Sequence, residues 1–202
     1  MSNFEYPIQF PSDREKALDV AKYFLKRLGG SDNYFRLLKL IFFADRYHFR
    51  KYLRLITNDH YVAMKRGPVA SYLYDVFKGK VVVGGIENDG YRVKLTEAFK
   101  PSRLSQSDIE AIDFSLSNFS KYGERQLWEI THAYPEWAEY EDLLLTDSKK
   151  SERMYLEMFL KNAKKNNKFF KKHSIVDPFQ PIEEEDQKEL VEYIRETCAQ
   201  IV

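Results

Sequence analysis

One cysteine, Cys198, is all the thiol chemistry this chain carries. No internal disulfide can form, and a cysteine-based metal site is excluded. A reducing compartment is the simplest setting for such a chain. No apolar run approaches the length of a membrane span. The opening MSNFEYPIQF lacks the basic flank and apolar run of a signal peptide, so a cytoplasmic protein is expected. Net charge is only +1, and no global field demands nucleic acid. Gly-x-Ser-x-Gly, zinc-protease and phosphate-loop motifs are absent. Cys198 has no histidine near it in sequence to activate it. No repeat of solenoid period occurs. No enzyme signature is left, and no cofactor or metal is expected.

What is present is a globular composition. Hydrophobic residues make up 44% and charged residues 31% of 202 positions, enough for one domain, or one domain with an appendage. Aromatics reach 15%, which suits a core with hydroxyl handles or an adhesive surface. The fold class expected is mainly α (α+β): a compact helical domain around a central buried helix at about 32–52, with one small β-hairpin at about 81–95. Residues 1–11 read as an aromatic, proline-bearing arm. Ser12 with Glu15 gives a capping box for a first helix that ends at Gly29-Gly30. Pro68 fits the first position of a helix opened by Gly67. Asp89-Gly90 is the turn signal of the hairpin, with Val81 to Val83 in its first strand. Ser105 or Ser107 starts a helix, and shorter helices follow from Glu124 and Pro135. Met154 to Leu160 fits a further helix.

The stretch from Arg36 to Tyr74 organises the rest. At 100° per residue, the helix around 32–52 is apolar over most of its circumference, as expected of a central element. Arg36, Lys39, Arg46 and Arg50 form one narrow stripe with Phe43 inside it. The stripe is expected to be a solvated face or to pair with the acidic 124–147 segment. Asp45 and His48 lie on the buried side. A buried carboxylate needs partners, and Tyr61, Tyr74, Lys65, Arg66 and a distant histidine are the candidates.

The same stretch resembles the SocA-like Panacea domain, an antitoxin domain of bacterial and phage toxin–antitoxin systems. The carrying residues run from Leu37 to His48. They continue through Ile56-Thr57, Tyr61 to Met64, Gly67-Pro68-Val69 and Leu73-Tyr74, then Leu127, Thr131-His132 and Trp137. The likeness covers roughly residues 14–145, a domain-scale span. It implies an antitoxin that neutralises a cognate toxin encoded nearby by direct protein contact, in a bacterial or prophage phage-defence setting. Some members are adaptors that hand the toxin to a protease, and others carry a DNA-binding module. No room for such a module is expected before residue 12. Residues 12–147 are then the antitoxin domain. Residues 148–202 form a C-terminal helical extension, expected to pack on the same domain.

Two further readings concern charge and chemistry. Asp45, His48 and His132 could in principle ligate a metal or move protons. The favoured reading is a buried polar network that fixes helix packing. Residues 149–172 hold nine Lys/Arg against two acidic residues, and residues 183–196 hold seven acidic against two basic. Pairing between the two is favoured over nucleic-acid binding by the basic segment. Partner contact is expected from Phe43, Arg46, Arg50, Asn58, Asp59, Lys65, Arg66 and Tyr72.

Overall fold

A computed structural model describes residue 8, residues 10–146 and residues 149–199. Most of the expected N-terminal arm, and the side chain of Cys198, lie outside the described residues. The architecture is mainly α within α+β. Two small three-stranded antiparallel sheets flank a helical body.

Helix α1 (Arg14–Arg27) is capped by Asp13, whose carboxylate accepts from Lys16 N, rather than by the expected Ser12. The central helix α2 (Tyr34–Tyr52) begins two residues later than expected. Ser31–Asn33 forms a strand, β1, and Asn33 caps the helix by accepting from the backbone N–H groups of Phe35 and Arg36. Leu53 ends it in the left-handed conformation. Leu37, Leu38, Leu40, Ile41, Phe42, Ala44 and Phe49 are all fully buried, and this helix is the core of the molecule.

Two strands follow, β2 (Tyr61–Met64) and β3 (Gly67–Ala70), joined by the two-residue turn Lys65-Arg66. The helix expected at Pro68 is a strand instead. Pro68 sits opposite Ala63 on an edge strand, where a missing backbone donor costs little. Helix α3 (Ser71–Phe77) starts only afterwards. Its cap is supplied from outside: the Asp59 carboxylate accepts from Tyr72 N and Leu73 N at 3.0 Å each.

The second sheet has the order β1-β5-β4, with β4 (Ile86–Asp89) and β5 (Arg92–Leu95) forming the expected hairpin. Gly90, at positive φ, and Tyr91 make its two-residue turn. Val81 to Val83 stay outside it, and Val82 is 92% exposed. Helix α4 (Gln106–Phe119), started by a Ser105–Asp108 capping box, packs along α2. Short helices α5 (Glu124–Thr131), α6 (Pro135–Ala138) and α7 (Glu141–Leu145) close the other side.

The helix expected through Met154 to Leu160 is replaced by two pieces. Strand β6 (Ser151–Arg153) pairs with β2, and a 3-10 turn (Leu156–Leu160) drives Phe159 into the core. Helices α8 (Lys168–His173) and α9 (Glu184–Ala199) complete the described chain. The basic segment finds most of its carboxylates in α5 and α7 rather than in α9. Lys172 and His173 both reach Glu129, and Lys168 reaches Glu141. From α9, Arg195 pairs back to Glu157. Proximity decides this: α8 lies against α5, so its cations meet those acids first.

Candidate partner-binding surface

The three polar residues expected to form one network have separate partners. Asp45 is fully buried and accepts four hydrogen bonds: from Ile56 N at 2.6 Å, Thr57 N at 3.1 Å, Thr57 Oγ1 at 2.5 Å and Tyr61 OH at 2.8 Å. It ties the loop after α2 to the helix, with Tyr61 the one expected partner it uses. His48 meets Arg54 O at 2.7 Å and Ser107 Oγ at 3.0 Å, with the Asp108 carboxylate 3.6 Å away. His132 stacks on Trp137 with ring centroids 3.3 Å apart, and its Nε2 has no hydrogen-bond partner among the described residues. Among the described residues no group of His, Cys, Asp and Glu is arranged to hold a metal. Spacing along the chain suggested a trio, and packing distributes it over three places.

Burial pushes both imidazoles down, His48 to about 4 and His132 to about 3, so each stays neutral in the fold. Below the ordinary histidine range the unfolded chain binds protons that the folded chain does not. Stability is therefore present above pH ~6.5 and is lost as pH falls towards 4 and 3. Each imidazole contributes on the order of 3 kcal/mol when fully titrated. His132→Phe keeps a ring on Trp137 and removes one titration. Urea unfolding at pH 7.5 and pH 5.5 should then show the variant losing about 1 kcal/mol less than the parent.

The basic stripe of α2 is not an exposed face. Phe43 is fully buried and stacks on Phe119 with centroids 3.7 Å apart. Arg46 and Lys39 are 0% and 1% exposed. The expectation of an exposed anchor is corrected for Phe43 and Arg46: both belong to the interior. Arg50 is half-buried and donates to Phe159 O, Leu160 O, Lys161 O and Gln180 O. Backbone carbonyls satisfy these cations as well as carboxylates do, and no periodicity reveals them.

Three other expected residues do share a concavity. Asn58, Asp59 and Tyr72 line a cleft of about 290 Å³ with Arg14, His60, Asp75 and Val81. Asn58 holds a left-handed backbone at φ 48°, a conformation asparagine tolerates better than most residues. Its Oδ1 is buried and accepts no hydrogen bond among the described residues. Arg14 lies over the Tyr72 ring, 5.2 Å from its centroid. Val82 stands exposed next to the lining residue Val81. Lys65 and Arg66 are exposed, but on a different cavity. Arg14 and His60 went unnoticed as site residues because nothing local in the sequence marks them; the fold brings α1 and the loop from Thr57 to His60 to one cleft.

The model of the antitoxin SocA-like, Panacea-domain family matches residues 37–138. The chain belongs to this family. No curated protein and no solved structure matches it. The Panacea span runs from α2 to α6 and so contains Asp45, the β2–β3 hairpin, α3 and most of the cleft. Arg14, on the cleft rim, precedes it. No helix among the described residues is long and apolar enough to cross a membrane. The extension from residue 149 lies beyond the matched span, yet β6 and Phe159 are built into the Panacea domain's sheet and core.

Proposed function

We propose that this chain is an antitoxin that neutralises a cognate protein toxin by binding it directly, without catalysing a reaction. The contact surface is the cleft of Asn58, Asp59 and Tyr72, with Val82 beside it. The observation that carries this reading is the pairing of a buried, donor-less Asn58 Oδ1 with an almost fully exposed valine nearby. An unpaired buried acceptor calls for a donor from outside, and its satisfaction on binding gives specificity. Asp59 is already committed to capping α3, so it shapes the cleft more than it offers a free charge. Tyr72 supplies the aromatic anchor typical of interface centres.

A non-catalytic reading is supported by the polar residues themselves. Asp45 and His48 are each occupied by structural hydrogen bonds, and His132 by a ring stack. The experiment is a mixture of the purified chain with the purified product of the adjacent reading frame. A stable complex on size exclusion, and inhibition of the toxin with no protease or nucleotide added, is the expected result. Separate elution with full toxin activity would sink direct neutralisation. Inhibition that needs an added protease would point to an adaptor instead.

A further inference from the structure

The β2–β3 turn borders a second cavity of about 260 Å³, with no lining residue in common with the cleft above. Lys39, Phe35, Tyr74, Gly67, Arg66 and Lys150 line it. Lys39 is the buried member. Its ammonium donates to Pro68 O at 2.6 Å, one acceptor among the described residues for three donors. Arg66 is exposed, with its guanidinium 5.4 Å from the Phe35 ring centroid and 5.7 Å from that of Trp128. Neither Arg66 nor Lys150 has a carboxylate partner among the described residues, and none of the described lining residues is acidic.

A buried ammonium with a single carbonyl partner is a costly way to fill a helix face. Methionine or leucine would fill the same space without desolvating a charge. A local rule broken without structural gain marks a functional position. Gly67 keeps the approach open: at φ 91° it crosses close to α2, and a Cβ there would collide with Thr131 Oγ1 and stand 3.2 Å from Lys39 Nζ.

We propose that this cavity binds a dianionic phosphate group, free or carried on a small molecule, with Lys39 as the buried anchor and Arg66 and Lys150 as rim ligands. Three cations exceed what a single carboxylate balances, and a phosphate offers the acceptors that the guanidinium fork and two ammonium groups need. The rings of Phe35 and Tyr74 suit a planar body attached to that phosphate.

The site has a built-in pH dependence. Burial pushes the Lys39 amine down to about 7, opposed by Glu124 on α5. The other charged or titratable groups around it are Lys65, Arg66, Tyr74 and Lys150 at the cavity, and His132, held neutral by burial. An entering dianion should therefore bind with proton uptake above neutral pH.

The test is a calorimetric titration of the full chain with sodium sulfate at constant ionic strength, because sulfate keeps its charge from pH 6 to 8.5. Inorganic phosphate and a nucleoside 5′-monophosphate serve as comparison arms at pH 7. One saturable site is expected, about tenfold tighter at pH 6 than at pH 8.5. The exposed double variant Arg66→Ala/Lys150→Ala should keep its melting temperature and bind at least about tenfold more weakly. Lys39→Met should lose the pH dependence; if that variant fails to fold, the rim variant and the pH series of the parent decide alone. A monophosphate that binds more tightly than inorganic phosphate assigns a carried phosphate, and equal affinities assign the free ion. Absence of saturation, or unchanged affinity in the rim variant, would overturn the site. Affinity independent of pH would remove Lys39 as its anchor.

Discussion

Arg46→Ala should destabilise this protein by about 3–5 kcal/mol. Arg46 and Glu136 are both fully buried and form an ion pair. The same guanidinium donates to Phe159 O at 3.1 Å and Lys161 O at 2.8 Å. It also lies 4.4 Å from the Tyr134 ring centroid and 5.0 Å from that of Phe179. Truncation leaves a carboxylate without its ion-pair partner in a low-dielectric interior and takes one of two donors from the carbonyls of Phe159 and Lys161, which Arg50 still serves. The pair itself is imperfect, since Arg46 Nε and Glu136 Oε2 have no hydrogen-bond partner among the described residues. Replacing both ends together, as Arg46→Met with Glu136→Leu, should therefore recover most of the loss. Urea midpoints at unchanged slope are the measurement. A loss below about 1 kcal/mol for Arg46→Ala would show that solvent reaches the pair. Because both of these carbonyls belong to the extension, the same variant should expose residues 161–167 to protease before the Panacea domain unfolds.

Asp45→Ala is the second large effect, again about 3–5 kcal/mol, because four donors lose one acceptor group in a dry site. Asp45→Asn should cost much less. Its carbonyl can still face the two backbone N–H groups, and its amide can donate to the hydroxyls of Thr57 and Tyr61, which rotate to accept. Burial pushes the Asp45 carboxyl up to about 6, partly offset by its hydrogen bonds from Thr57, Tyr61 and Ile56. The folded state thus binds a proton that the unfolded state does not between pH 4 and 6. This group's contribution is greatest below pH 4 and is lost as pH rises through 6, opposite in sign to the histidines. The penalty of Asp45→Asn should accordingly be about 1 kcal/mol larger at pH 5 than at pH 7.5. Were Asp45 catalytic, Asp45→Asn would abolish function at unchanged stability. A structural Asp45 gives the reverse: reduced stability, with neutralisation intact at permissive temperature.

How much of this was legible follows from particular residues. The apolar circumference of α2 announced a central helix, and Asp45 on its buried side announced a satisfied carboxylate, with Tyr61 among the named partners. Both depend on local periodicity and on the cost of burying charge, which sequence displays. Arg46 takes up the pairing with the 124–147 segment that the stripe offered, through Glu136, but Phe43 and Arg46 were also counted as partner contacts because what covers them, Phe119 and Phe159, lies 76 and 113 residues away. A helical wheel reports which residues share a face, not what covers it. Gly67-Pro68 misled for a different reason: proline suits both a helix start and an edge strand, and only the pairing with β2 decides. Strand β1 is three residues long and exists because β5 is there to pair with it. At the cleft, Asn58, Asp59 and Tyr72 could be chosen as polar or aromatic residues of a turn and helix start. That Asn58 Oδ1 would be buried without a donor could not, since it depends on a left-handed backbone and on α1 closing the far side.

The central claim is neutralisation by direct contact at that cleft. Its most direct test is growth rescue in cells expressing the adjacent toxin together with either the parent chain or the double variant Tyr72→Ala/Val82→Asp. Tyr72 is partly exposed and Val82 nearly fully so, and the variant should melt within a few degrees of the parent. The expected result is growth with the parent and arrest with the variant, at equal protein levels. Equal rescue by both would contradict the claim.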